Sequence, residues 1–164
     1  MKKAAIIMGS DSDWTVMKKA AVTLKDLGVP FEVHVYSAHR TPEEAAEFAG
    51  NAANRGFGVL IAGAGMSAAL AGSLAAKTTL PVIGVPLDAG LQGVDALLST
   101  VMMPPGIPVG SVGVNAAKNA ALLAAEILAL GEPELTEKLA AQKAAMHDAV
   151  LEKDAKMQET VKEL

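Results

Sequence analysis

The sequence places a histidine and an arginine side by side in the stretch Ser37-Ala38-His39-Arg40-Thr41-Pro42. An imidazole titrates near neutral pH, so His39 can give or take a proton. A guanidinium offers a planar fork that binds phosphate or carboxylate. Only small residues precede His39, which leaves room for a ligand to lie against the ring. The bland alternative is a histidine tied to a nearby backbone carbonyl. His34, inside an apolar run, and His147, in the charged tail, are read that way or as simply exposed. Three dispersed histidines and no cysteine offer no transition-metal ligand set and no thiolate nucleophile.

A second candidate stretch is Met8-Gly9-Ser10-Asp11-Ser12-Asp13-Trp14. Gly9 admits close backbone approach, Ser10 and Ser12 supply hydroxyls, and free N–H groups at a helix start attract an anion. Asp13 suits sugar hydroxyls better than phosphate. The glycines that a Walker loop or a dinucleotide fingerprint needs are absent. A helix-capping cluster without ligand is the competing reading. A third stretch, residues 62–72, is rich in Gly and Ala, and Gly63 and Gly65 allow close approach to a planar ligand.

These stretches need elements to hold them. Apolar runs at 3–8, 31–36, 58–63, 81–86 and 107–114 read as strands buried on both faces. Helical patterns follow at 13–27, at 42 to about 55, at 68–77, 93–101 and 117–130. Gly28 and Gly56 stand as stop signals, and Thr41-Pro42-Glu43-Glu44 reads as a helix start. Strand and helix in alternation predict an α/β three-layer sandwich, flavodoxin-like, with five parallel strands in the order 2-1-3-4-5. Ligands then bind beyond the carboxyl ends of the strands, where the three stretches fall. Residues 1–131 form this catalytic domain. Residues 132–164 form a helical arm whose apolar residues, Leu135, Leu139, Met146, Val150, Met157 and Val161, alternate by four and seven. A helix of roughly 30 residues, about 45 Å long, overshoots such a domain and is expected to dock on a neighbouring subunit.

Net charge is −4, which argues against a general nucleic-acid binder. No run is long and apolar enough for a signal core or a membrane span. A cytoplasmic protein with a phosphorylated small-molecule ligand is expected, with no membrane partner.

The motifs M-G-S-x-S-D-W, S-A-H-R-T-P, G-A-G, M-P-x-G-x-P-V-G and K-N-A-A-L-L-A-A together resemble the N5-carboxyaminoimidazole ribonucleotide mutases of purine biosynthesis, over about residues 3–131. The resemblance implies a homo-octamer with sites at subunit junctions. It implies that a carboxyl group moves from the exocyclic nitrogen of a ribonucleotide to carbon 4 of its imidazole ring, through released and recaptured carbon dioxide, without cofactor or metal. His39 becomes the general acid/base. Ser10, Asp13 and Arg40 become substrate ligands, joined by Gly9, Ser12, Ser37 and Ala38 in the first two loops. Gly63, Gly65, Met66, Ser67 and Leu70 line the third. One departure stands out: Ala69 and Ala71 occupy positions where these mutases carry histidine and proline. That departure leans toward the related enzymes that carboxylate aminoimidazole ribonucleotide directly with carbon dioxide, although S-A-H-R-T-P leans back. A paralogue acting on another carboxylated nucleotide, or a binding protein without turnover, are the remaining readings.

Overall fold

The computed structural model describes all 164 residues. Five strands, β1 (Lys3–Met8), β2 (Phe31–Val35), β3 (Phe57–Gly65), β4 (Val82–Leu87) and β5 (Gly110–Ser111), form one parallel sheet in the order β2-β1-β3-β4-β5. Register is set in the centre, where Ile6 of β1 lies between Val33 of β2 and Ile61 of β3. The helices are α1 (Trp14–Leu27), α2 (Pro42–Asn51), α3 (Leu70–Ala75), α4 (Val94–Val101), α5 (Ala117–Ala129) and α6 (Pro133–Lys162).

The sheet has a buried cluster on each face. One holds Ile6, Val59 and Ile61 against Met17, Leu24 and the alanine face of α5, and Leu135 and Leu139 of α6 belong to it. The other holds Ile7, Leu60 and Phe57 against Phe48 of α2 and Leu74 of α3. Alanines 117, 120, 121, 124 and 125 are buried and let α5 lie close on the sheet. Strand β1 is covered on both faces, as its unbroken apolar run requires.

Several boundaries differ from expectation. Strand β5 has two residues rather than the eight of 107–114, and Pro108 brings no N–H to a ladder at its start. Helix α2 stops at Asn51, and α3 spans only Leu70–Ala75. Strand β3 runs two residues past the expected end at Gly63, so Gly65 is a strand residue as well.

At the exposed edge of the sheet, Glu32 accepts hydrogen bonds from Lys3, from Arg55 Nη2 at 2.9 Å and from His34 Nε2 at 3.0 Å. His34 stacks on Tyr36, with ring centroids 5.4 Å apart. The hydrogen bond from Lys3, ahead of the charges of Lys3 and Arg55, holds the Glu32 carboxyl below its ordinary value. A carboxyl depressed by folding adds stability above its unfolded pKa and loses it as pH falls through the folded one. The advantage of the parent over Glu32→Gln in urea unfolding is therefore expected to be present at pH 7 and to vanish below the ordinary carboxyl value of 4.5.

Candidate active site

At the carboxyl ends of β1, β2 and β3 the loops enclose a cleft of about 480 Å³. The loop after β2 is a tight turn that closes on itself. Ser37 N–H donates to Thr41 Oγ1 at 2.8 Å, and Thr41 N–H returns to the Ser37 carbonyl at 2.9 Å. The N–H groups of His39 and Arg40 both point at Ser37 Oγ, at 3.3 and 3.1 Å. Thr41 does stand just before α2, but its hydroxyl turns back into this turn and does not cap the helix. The turn presents the His39 ring to the cleft, and that ring carries no hydrogen bond to the protein. A histidine tied to a backbone carbonyl is thus not what the fold builds at position 39.

Arg40 reaches across to the first loop, where Nη2 donates to the Gly9 carbonyl at 2.9 Å. This bond fixes the two loops relative to each other and leaves the rest of the guanidinium fork for a ligand. The first loop is a 3-10 turn, Asp11–Asp13, capped by Ser10. Asp13 Oδ2 accepts the N–H of Ser10 at 3.0 Å, and Ser12 Oγ donates to Ser10 Oγ at 3.0 Å. Burial pushes the Asp13 carboxyl above its ordinary value, against the opposing pull of the Ser10 N–H and the Arg40 charge. Asp13, His39 and Arg40 are the titratable groups that line the cleft. A carboxylate, an imidazole and a guanidinium at one mouth can bind sugar hydroxyls, move a proton and hold an anion.

The third wall comes from the end of β3 and the start of α3. Gly65, Met66, Ser67 and Leu70 line it together with Ala64, Ala68 and Ala69. Gly63 does not. A Cβ there would meet Met17 Sδ at 2.6 Å, so this glycine lets α1 pack on the sheet. The positive φ in this loop belongs to Met66, at 54°, and to neither glycine. Ala89, after β4, is a wall residue that the sequence did not single out. Its Cβ lies 2.7 Å from where a Cβ on Gly65 would stand. The rule that ligands bind beyond each strand's carboxyl end was the signal for it.

A larger hollow, about 920 Å³, lies at the amino ends of β4 and β5, with Lys77 its one charged residue. It holds no histidine and no carboxylate, so proton chemistry belongs to the cleft. No group of three His, Asp or Glu side chains in the chain is placed to hold a metal ion.

Comparison with known proteins agrees with this geometry. A family model described as AIR carboxylase matches residues 3–149. An N5-carboxyaminoimidazole ribonucleotide mutase from Pyrococcus abyssi (strain GE5 / Orsay) is 59% identical over 140 residues, covering 85% of this chain and 80% of its own. The Thermotoga maritima protein of the same name is 49% identical over 160 residues, covering 97% of this chain and 94% of its own. The crystal structure of Treponema denticola PurE superposes with a TM-score of 0.84 at 31% identity, over 93% of this chain and 96% of that one.

Proposed function

The chain belongs to the AIR carboxylase family, and from that premise we infer that its cleft converts N5-carboxyaminoimidazole ribonucleotide to the 4-carboxy isomer in purine biosynthesis. The activity is that of a mutase, an isomerase-class enzyme. One observation carries the assignment of roles: His39 is the cleft's one imidazole, its ring is free, and Arg40 and Asp13 flank it. Arg40 holds the phosphate, with Ser10 and Ser12. Asp13 takes the ribose hydroxyls. His39 protonates the exocyclic nitrogen as carbon dioxide leaves, then removes the proton from carbon 4 after recapture. One group can serve both steps because the first leaves it ready for the second.

Two incubations test the reading. One supplies N5-carboxyaminoimidazole ribonucleotide without bicarbonate. The other supplies aminoimidazole ribonucleotide with saturating carbon dioxide. Product is expected in the first. Product in the second alone would make the chain a direct carboxylase, and silence in both would leave a paralogue acting on another carboxylated nucleotide or a binding protein.

Asp13 carries its charge at a cost. Its carboxyl is raised by folding, so its contribution to stability falls as pH rises through the folded pKa, above the ordinary 3.8. Asp13→Asn is expected to melt no lower than the parent at pH 7. Its affinity for the ribonucleotide should drop about tenfold, the scale of one hydrogen bond to a charged group, as read by calorimetric titration.

The same reading extends to assembly, with a homo-octamer in the cytoplasm as the working form. Leu135 and Leu139 seat α6 on its own subunit, yet Met146, Val150, Met157 and Val161 are all exposed beyond them. Val94, Leu98 and Val101 form a second uncovered apolar stripe on α4, flanked by Leu91 and Met102. Contiguous apolar surface of this kind marks an interface. Residues 132–164 serve as the arm that docks on a neighbouring subunit. Sedimentation analysis tests the octamer, and cell fractionation tests the compartment.

A further inference from the structure

We propose that Met66 closes the cleft over released carbon dioxide and keeps it beside the ring it must rejoin. The inference rests on the reaction proposed above.

The backbone gives the first reason. Met66 sits at φ 54°, in the left-handed region where a Cβ is crowded and glycine is at ease. It follows the last residue of β3, and a hydrogen bond of 2.8 Å from Ala68 N–H to the Met66 carbonyl closes a tight turn behind it. A large side chain is thus held where the backbone favours none.

The side chain's position gives the second. Met66 lines the cleft yet is 63% exposed, so it stands at the rim. An unbranched thioether with three rotatable bonds can fold down over whatever enters.

The surroundings give the third. Ala64, Ala68, Ala69 and Ala89 contribute only a Cβ to this part of the wall, and Leu70 is buried beneath it. Ser67 is short and polar. No other apolar side chain on this wall is long enough to cover the mouth.

The chemistry states what such a cover is for. In the first step the nitrogen–carboxyl bond breaks, its electron pair goes to nitrogen, and His39 supplies the proton. The product is carbon dioxide, neutral and linear, which neither Arg40 nor Asp13 can hold by charge. In the second step carbon 4 of the ring attacks it, a carbon–carbon bond forms, and the displaced ring proton returns to His39. Atoms and protons balance with no co-reactant. Between the steps, only an apolar wall that blocks the exit keeps carbon dioxide from the solvent.

The test uses the full-length protein and substrate labelled with carbon-13 in the carboxyl group, in buffer equilibrated with unlabelled carbon dioxide. The parent is expected to deliver most of the label into the product. Met66→Gly should retain less than half and lose about tenfold in kcat/KM, an effect of the size that misplaced or lost reactants produce. Its melting temperature should stay within about 2 °C of the parent, because relief of the left-handed strain offsets the extra freedom glycine gives the unfolded chain. Met66→Leu should restore retention. A Met66→Gly protein that keeps its label and its turnover would overturn the inference and leave the mutase reading intact. A parent whose product has lost its label to bulk carbon dioxide would overturn the inference, and the two incubations above would then decide between mutase and direct carboxylase. A parent that makes no product from the labelled substrate would overturn the mutase reading and this inference with it.

Discussion

His39→Asn is expected to lower mutase turnover by about three orders of magnitude while ribonucleotide affinity stays within a few-fold of the parent. General acid–base catalysis by one positioned group contributes roughly 10²–10⁴-fold, and in the proposed mechanism one imidazole handles both proton transfers. Asparagine keeps a polar group of similar reach but cannot exchange a proton near neutral pH. The loop should survive the change, because its shape comes from Ser37 and Thr41 and from the His39 backbone N–H, which asparagine retains. Arg40 keeps its bond to Gly9, so the proposed anion site persists. Single-turnover kinetics beside calorimetric binding separates the two quantities. Unchanged turnover would remove His39 from the proton path. A parallel loss of binding would make it a substrate ligand instead.

Leu135→Ala is expected to cost about 3 kcal/mol of folding stability, within the range for truncating a buried leucine. Leu135 is 0% exposed and belongs to the same cluster as Ile6, Leu24 and Leu128. It anchors the first turn of α6, which Lys138 reinforces by donating to the Leu27 carbonyl at 3.1 Å. Removing the anchor should lower the melting temperature by roughly 10 °C for a chain of this length. Val150→Ala, on the exposed part of the same helix, should leave urea unfolding of the isolated subunit within about 0.5 kcal/mol and act on assembly instead. A loss below about 1 kcal/mol at position 135 would mean that α6 does not seat on its own subunit.

Much of this was legible in the residues. The alternation of apolar runs with 3.6-period helices is a local signal that the packed sheet then honours, and the expected strand order is the one observed. His39 and Arg40 stood out because their chemistry does not suit a core. What escaped depends on contacts between distant parts of the chain. Gly63 read as a glycine that admits a ligand, yet the space over it is filled by Met17 of α1. Thr41 carried the signature of a helix cap, yet Ser37 competes for its hydroxyl. Ala89 has no chemistry of its own and matters only for where β4 ends. Pro108 starts β5 later than its apolar pattern suggests, since a missing N–H outweighs side-chain preference. The left-handed backbone at Met66 contradicts its residue type, and such contradictions concentrate at functional sites.

The core cluster that joins Ala4 to Leu139 also dictates how the protein is made. Strand β1 emerges first from the ribosome and α1 follows at once, but α1 covers only part of the face that carries Ile6; α5 and the first turns of α6 complete it. Until residues near 139 are available, a growing chain holds Ile6, Val59 and Ile61 with one side only partly covered, by α1 alone. A parallel sheet has no hairpin to fold early, since every strand pairing waits on a crossover. Folding is therefore a late event in synthesis, and a nascent chain stalled before α5 is the form that a chaperone meets or that aggregates.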